Sequence, residues 1–171
     1  MNESCLLVPF QLLVLECSFD LIGSFTALPC TDAAVCSVNS NSYHVTFDGH
    51  AFRAHGTCRY LLSRDCKRNS FFVKIRNSPR SGEETWTEVV TVGLGGYTVH
   101  LHRTLQARVN RRRVQLPYRI ASRFALQRIG NKLVLDAYQQ IGLKVIWDGQ
   151  SRLEVSVCQG YALVKRRNQS E

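Results

Sequence analysis

Short runs of apolar and β-branched residues, each ended by a glycine-containing turn, constrain the fold of this chain more than any other feature. Residues 143–147 and 152–157 flank an Asp-Gly pair, and residues 124–129 and 132–137 flank a Gly-Asn pair. Turn dipeptides of this kind between alternating apolar residues predict β-hairpins, with a two-residue turn at the Gly-Asn pair. After position 36 no stretch of twelve or more residues has apolar side chains at helical spacing. The pattern therefore predicts an all-β fold, an antiparallel β-sandwich or meander of short strands.

The same pattern predicts further strands in the first half of the chain. Residues 43–47 run into Asp48-Gly49, a turn in which the glycine needs a positive φ angle. Residues 87–92 and 97–101, with the Gly95-Gly96 pair between them, predict another hairpin. The glycines are not interpreted as a phosphate-binding loop, because the lysine and the helix of such a loop do not follow them. Two more candidate strands, rich in aromatic and β-branched residues, are residues 57–62 and 71–75.

The first thirty residues differ from the rest of the chain. Residues 6–15 form a ten-residue apolar stretch, a length typical of the core of a secretory signal peptide. The preceding residues carry no Lys or Arg, so an ordinary buried segment is the alternative. No apolar run reaches the roughly 18–20 residues that span a bilayer, so we expect no membrane span. The expected organisation of the chain is a leader at 1–27, a linker at 28–35, one domain at 36–160 and a polar tail at 161–171.

The cysteines indicate an oxidising environment. Seven cysteines in 171 residues are more than a cytosolic protein of this size usually carries. Because seven is odd, at least one thiol lacks a partner within the chain. No Cys-x-x-Cys pair is present, so disulfide bonds are favoured over a zinc site. We therefore expect a secreted, extracellular protein, in which Asn168 of the Asn-Gln-Ser triplet is a candidate glycosylation site.

Positive charge is concentrated in one region. The chain has a net charge of +9, and eight arginines fall between Arg103 and Arg128, while no Asp or Glu occurs from Val89 to Leu135. Arginine binds sulfate and phosphate groups through two parallel hydrogen bonds. The sequence predicts heparan sulfate as the polyanion in an extracellular setting, and a solvated basic face without a ligand is the alternative. Nucleic acid is not expected, because no nucleic-acid-binding motif is present. The candidate polyanion-binding residues are Arg103, Arg108, Arg111, Arg112, Arg113 and Arg119.

The sequence offers two closely spaced histidines and no catalytic motif. His100 and His102 alternate onto one face of a predicted strand, a spacing that suits a metal, but the sequence offers no third ligand. We therefore interpret them as surface histidines. No Gly-x-Ser-x-Gly elbow and no context for an activated cysteine is present, so no catalytic residue and no enzymatic activity are expected.

Several segments of the chain match one known pattern in register. These segments are Cys36-Ser37-Val38, residues 43–49, Phe52, residues 56–62, Asp65-Cys66, residues 72–77, Val109-Asn110, residues 114–117, residues 142–149 and residues 153–155. Together they resemble the von Willebrand factor type D domain over about residues 36–157. Within the family, the stretch from Asn77 to Val89 is most similar to crossveinless, to BMP-binding endothelial regulator and to kielin/chordin-like proteins.

The resemblance implies a secreted, non-catalytic module of a regulator of bone morphogenetic protein signalling. Its implied partners are extracellular proteins, including bone morphogenetic proteins bound through the parent protein, and heparan sulfate bound through the arginine-rich region. The alternative is a structural assembly module like those of gel-forming mucins, linked by disulfide bonds. A third alternative is a domain that does not fold stably.

Two departures from the family pattern carry expectations of their own. Asn41 stands where the family has an aspartate that helps to bind calcium, and a neutral oxygen ligand weakens a site for a hard cation. We therefore expect no metal or other cofactor. The family's C-terminal Cys-Gly-Leu-Cys-Gly-Asn segment is absent, so a truncated domain is expected. In the family, cysteines like Cys36, Cys58 and Cys66 pair with partners in or beyond that segment, which leaves them and Cys158 as the disulfide candidates.

Overall fold

The computed structural model of the chain describes residues 18–19, 33–39, 43–54, 56–65, 69–79 and 85–158. Within these residues the chain forms fifteen strands and one four-residue helix, so the prediction of an all-β, antiparallel fold is confirmed. None of the helical structure in this part of the chain is long and apolar enough to cross a membrane. The elements are β1 (Ser18–Phe19), β2 (Ala33–Asn39), β3 (Tyr43–Val45), β4 (Ala51–Arg53), β5 (Arg59–Asp65), β6 (Phe71–Pro79), β7 (Thr85–Leu94), β8 (Tyr97–His102), β9 (Ala107–Val109), β10 (Arg112–Val114), β11 (Tyr118–Ile120), β12 (Phe124–Ile129), β13 (Lys132–Ala137), α1 (Tyr138–Ile141), β14 (Leu143–Trp147) and β15 (Arg152–Cys158).

The strands form two sheets. The first sheet has the strand order β1-β5-β6-β7-β8-β9-β10, and the second has the order β11-β12-β13-β14-β15-β2-β3-β4. All neighbouring strands are antiparallel except β1 and β5, which pair in parallel. Most neighbours are consecutive in sequence and joined by short turns. The long-range exception in the second sheet is β2, which pairs with β15 over seven residue pairs, so the early and late parts of the domain lie side by side.

One hydrophobic core joins the two sheets. Alternate residues of β7 and β8 point into it from the first sheet, and alternate residues of β13 to β15 point into it from the second. Trp147, at 1% exposure, is among the largest side chains of this core. At one end of the core the ring of Tyr97 packs edge-on against Phe124, with their centroids 5.8 Å apart. Burial of such apolar surface is the main driving force for folding.

The predicted hairpins are largely confirmed. β12, β13 and β14 have the predicted bounds, and Gly95 and Gly96 both have positive φ angles, as a two-residue hairpin turn requires. Gly49 has a φ angle of +86°, as expected. The predicted strand at 43–47 ends at Val45, because the backbone N–H of Thr46 donates to the carbonyl of His50 at 2.8 Å and begins the turn there.

The structure describes two short strand segments where the sequence predicts a leader and a linker. The last residues of the predicted linker at 28–35 are strand, since β2 begins at Ala33. The first three residues of β2 pair with Ser156 to Cys158 of β15. Ser18–Phe19, within the predicted leader, pairs with Arg64 and Asp65 of β5. The rest of the leader, the tail with Asn168, and residues Asn41 and Cys66 lie outside the described residues. The expectations for them stay predictions.

Candidate functional site: a basic face of the first sheet

The strand register places a line of polar and basic side chains across the outer face of the first sheet. Lys74 lies opposite Thr91, Thr91 opposite His100, His100 opposite Arg108, and Arg108 opposite Arg113. Residues directly opposite each other project from the same face of a sheet. The alternate positions, such as Val92 and Val99, are buried in the core, so these five residues face outward. We call them the basic row; with strands about 4.8 Å apart, it extends about 19 Å over five strands.

The two ends of the basic row are exposed. Arg108 and Arg113 are exposed on the last two strands of the sheet, and β10 is the edge strand. At the other end the ammonium nitrogen of Lys74 lies 4.7 Å from the centroid of the Phe72 ring. This cation–π contact holds the lysine stem along the face, while the charge stays accessible to solvent. The row is therefore a surface at which an extended anion meets several cations in sequence.

A second line of side chains borders the basic row. Arg76 lies opposite Val89, and Val89 opposite His102. The register shifts between Arg76 and Asn77, a β-bulge, and Glu88 is the extra residue on β7. Its carboxylate accepts a hydrogen bond from Ser78 Oγ at 2.6 Å and lies 3.0 Å from Arg76 Nη2. The hydrogen bond from Ser78, aided by the nearby Arg76 charge, holds the pKa of Glu88 below its ordinary value, so this carboxylate is ionised at neutral pH.

Burial and neighbouring positive charge both favour the neutral form of the two histidines. Burial is the main cause that lowers the pKa of His100, and the charges of Arg108 and Arg76 lower it further. Burial is also the main cause for His102, whose pKa is lowered further by Arg108, His100 and Arg76 against a smaller opposing effect of Glu88. Both imidazoles are therefore mainly neutral at pH 7.

Two nitrogen atoms on this face lack a hydrogen-bond partner in the part of the chain that the structure describes. His102 Nε2 and Arg76 Nε are buried and find no partner among the described residues. His100 Nδ1, in contrast, lies 3.2 Å from Thr91 Oγ1. Buried polar atoms are usually paired, so the two nitrogens are an exception that lies next to the cations of this face.

The structure divides the predicted polyanion-binding residues among several surfaces. Arg108 and Arg113 belong to the basic row. Arg111 lies in the turn between β9 and β10 with a φ angle of +70°, and Arg112 is opposite Val109, on the other side of the strand from Arg113. Arg119 is on β11, in the second sheet.

The sixth predicted residue, Arg103, is engaged elsewhere. Its guanidinium carbon lies 3.6 Å from the centroid of the Trp86 ring. Conversely, the prediction did not include Lys74, Arg76, His100 and His102 among the polyanion-binding residues. The signal for them is strand alternation, since Lys74 and Arg76, like His100 and His102, are two positions apart on one strand.

The cysteines within the described residues are buried or bonded. Cys58 and Cys158 are disulfide-bonded, and Cys36 is buried at 1% exposure. Both bonded cysteines are among the disulfide candidates that the sequence offers. Which cysteine pairs with which stays a prediction.

A metal site is not evident in the part of the chain that the structure describes. Among those residues no three or more His, Cys, Asp and Glu side chains form a group that could hold a metal ion. His100 and His102 accordingly have no third ligand among these residues. The expectation that no calcium or other cofactor is bound stays a prediction.

Comparison with known proteins gives a consistent result. A sequence model of the von Willebrand factor type D domain matches residues 36–163. Zonadhesin of Homo sapiens is 33% identical over 135 residues, which are 75% of this chain and 5% of zonadhesin. SCO-spondin of Gallus gallus is 34% identical over 122 residues, 70% of this chain and 2% of that protein. Alpha-tectorin of Homo sapiens is 27% identical over 145 residues, 81% of this chain and 7% of that protein. The chain thus spans a small part of each of these relatives.

Proposed function

The chain belongs to the von Willebrand factor type D domain family, and from this premise we propose that it is a non-catalytic structural module of a large extracellular protein, linked to other chains by disulfide bonds. The match over residues 36–163 carries the proposal. The length of the relatives supports it, since this chain corresponds to 5% of human zonadhesin and 2% of chicken SCO-spondin. A unit of this kind acts as one part of a long assembly.

The cysteines support an extracellular, disulfide-linked role. Disulfide bonds such as those of Cys58 and Cys158 persist in oxidising compartments. The chain has seven cysteines, so pairing within one chain leaves at least one thiol over. That thiol is available for a bond to a second chain.

The test is the state of the chain after secretion from animal cells. Secreted protein is alkylated, run on denaturing gels with and without reductant, and weighed intact. We expect disulfide-linked dimers or multimers that become monomers on reduction. Secreted monomer that carries one alkylated thiol, at every concentration tested, would overturn the assembly role.

We also propose a second role, the attachment of the module to heparan sulfate. The observation that favours it is the basic row, where Lys74, Arg108 and Arg113 lie on one face. Retention on immobilised heparin tests it. We expect elution only at elevated salt, because polyanion binding by clustered cations weakens as salt screens the charges. Failure to bind heparin in a low-salt buffer would rule this role out.

Regulation of bone morphogenetic protein signalling stays a prediction from the sequence. The similarity to zonadhesin, SCO-spondin and alpha-tectorin supports a structural module and lends no specific support to a role in this pathway. Binding of a bone morphogenetic protein to the purified chain, measured by surface plasmon resonance, is the direct test.

A further inference from the structure

We propose that a sulfated polysaccharide lies across the basic row, in contact with Lys74, His100, Arg108 and Arg113, and that its binding adds protons to His100 and His102. This inference rests on the proposed attachment to heparan sulfate. The proposed site lies on the outer face of the first sheet and not along the arginine-rich stretch of the sequence. The affinity for the polysaccharide is expected to depend on pH.

The geometry suits a linear, repeatedly charged ligand. The row runs perpendicular to β6–β10, and its members come from five consecutive strands. A chain laid along it meets one side chain at each strand spacing, about 4.8 Å. Arg108 and Arg113 at the edge each offer a planar guanidinium that pairs with a sulfate group through two hydrogen bonds.

The same face is less suited to single-stranded nucleic acid. Proteins that bind single strands stack successive bases on exposed aromatic rings. The aromatic ring at the Lys74 end of this face is Phe72, and the ammonium group of Lys74 lies over it. The exposed groups of the row are cationic, so this face suits a chain of negative charges. The Phe72 ring is covered and is not available for base stacking.

Burial and the surrounding positive charge together oppose protonation of the two histidines. Thr91 and Glu88 face them from β7, Arg76 from β6 and Arg108 from β9. The two histidines also repel each other when charged. Of these groups Glu88 alone favours the imidazolium form, and its carboxylate already pairs with Arg76.

An anion bound to the row acts against the part of this effect that comes from neighbouring positive charge. Sulfate groups next to Arg108 offset its positive charge, and they accept hydrogen bonds from imidazolium N–H groups. Protonated His100 and His102 then add to the attraction. Because the complex binds more protons than the free protein, affinity rises as the pH falls.

The location of the site is tested with two variants that remove equal charge. The row variant is Arg108→Gln with Arg113→Gln, and the turn variant is Arg111→Asn with Arg112→Gln. Asparagine at 111 tolerates the positive φ angle of that turn. Binding of a heparin oligosaccharide is measured by calorimetry at pH 7.5, and near-ultraviolet circular dichroism reports folding.

We expect the row variant to lose at least tenfold in affinity and the turn variant less than threefold. Equal losses would show that affinity follows net charge, and would overturn the proposed location while heparin attachment stands. If the unchanged protein fails to bind heparin, the proposed attachment itself fails.

Proton uptake is tested by comparing pH 7.5 with pH 5.5. A pKa rise of one unit at one histidine raises the affinity by at most about tenfold, a limit reached when the pH lies below the pKa of both the free and the bound form. We expect the unchanged protein to bind heparin at least threefold more tightly at pH 5.5 than at pH 7.5. His100→Gln with His102→Gln should abolish that gain, so that the affinities of this double variant at pH 7.5 and pH 5.5 agree within threefold. A pH-independent affinity, or an equal gain in the double variant, would overturn the proton linkage.

Discussion

Arg103 stacks on Trp86, with its guanidinium carbon 3.6 Å from the ring centroid. The backbone N–H of Arg103 also donates to the carbonyl of Glu88 at 3.2 Å. The two contacts hold the turn after β8 against the beginning of β7. A guanidinium that covers an indole face contributes to stability, and it is less available to a ligand than the exposed Arg108.

We therefore expect Arg103→Ala to lower the free energy of unfolding by about 0.5–1 kcal/mol through loss of the cation–π contact. Urea denaturation measures this. Arg119→Ala is the matched control, since Arg119 is an exposed strand residue, and it should change stability by less than about 0.5 kcal/mol. Heparin affinity of the Arg103→Ala variant should stay within twofold. If Arg103→Ala lowered heparin affinity as much as Arg108→Ala does, Arg103 would belong to the heparin-binding site.

His44 makes the domain sensitive to acid. Its ring is buried at 4% exposure and stacks on Phe52, with centroids 5.1 Å apart. Burial lowers the pKa of His44 from 6.5 to about 4. Above pH 6.5 the residue is neutral whether the chain is folded or unfolded. Between pH 6.5 and 4 only the unfolded chain takes up the proton, so stability falls over this range by an amount on the order of 3 kcal/mol.

The measurement is the urea midpoint at pH 7.5, 5.5 and 4.5. His44→Phe, which keeps an aromatic ring beside Phe52, should flatten most of this pH dependence. His50→Gln changes a histidine whose side chain is 81% exposed and should keep the full slope. A slope unchanged in His44→Phe would assign the acid sensitivity to other groups.

Turn chemistry made the hairpins predictable, because it is local. The Gly130-Asn131 pair fixed both flanking strands, and β12 and β13 begin and end where the sequence predicted. Pairing between distant strands has no such local signal. Cys36 lies opposite Val155, 119 positions away, and only packing of the whole sheet selects that register.

The candidate site shows the same limit. Composition located the positive charge between Arg103 and Arg128, yet Arg112 and Arg113 project from opposite sides of β10. Lys74 joins Arg113 in the basic row because β6 to β10 are ordered consecutively in the sheet. A charge count along the sequence carries no information about either relationship.

Glu88 should weaken anion binding, because its carboxylate lies beside Arg76 and acts on His102. We expect Glu88→Gln to raise heparin affinity about threefold by removing repulsion of the sulfate groups. Loss of the partly exposed ion pair should cost about 0.2–1 kcal/mol of stability. Glu154→Gln makes the same charge change beside Arg152 on the second sheet and is the control. Equal gains in both variants would show that net charge, and not position, sets the affinity.

Gly149 brings a turn of the second sheet against a turn of the first. It has a φ angle of +75°, and a Cβ at this position would lie 2.5 Å from the carbonyl oxygen of Arg103 and 3.0 Å from Leu105 Cδ2. Gly130 has a φ angle of +59° with no atom within 4 Å of the same position. The two glycines share a left-handed backbone and differ in how closely another segment approaches.

Alanine at each glycine separates these two effects. Gly130→Ala should cost about 1 kcal/mol, the strain of a left-handed alanine. Gly149→Ala carries the same strain and also displaces the backbone of Arg103, so we expect a loss of about 2–4 kcal/mol in urea denaturation. It should also loosen the Arg103 stack on Trp86, which fluorescence of the indole reports. Equal losses in the two variants would mean that the turns of the two sheets do not meet this closely in solution.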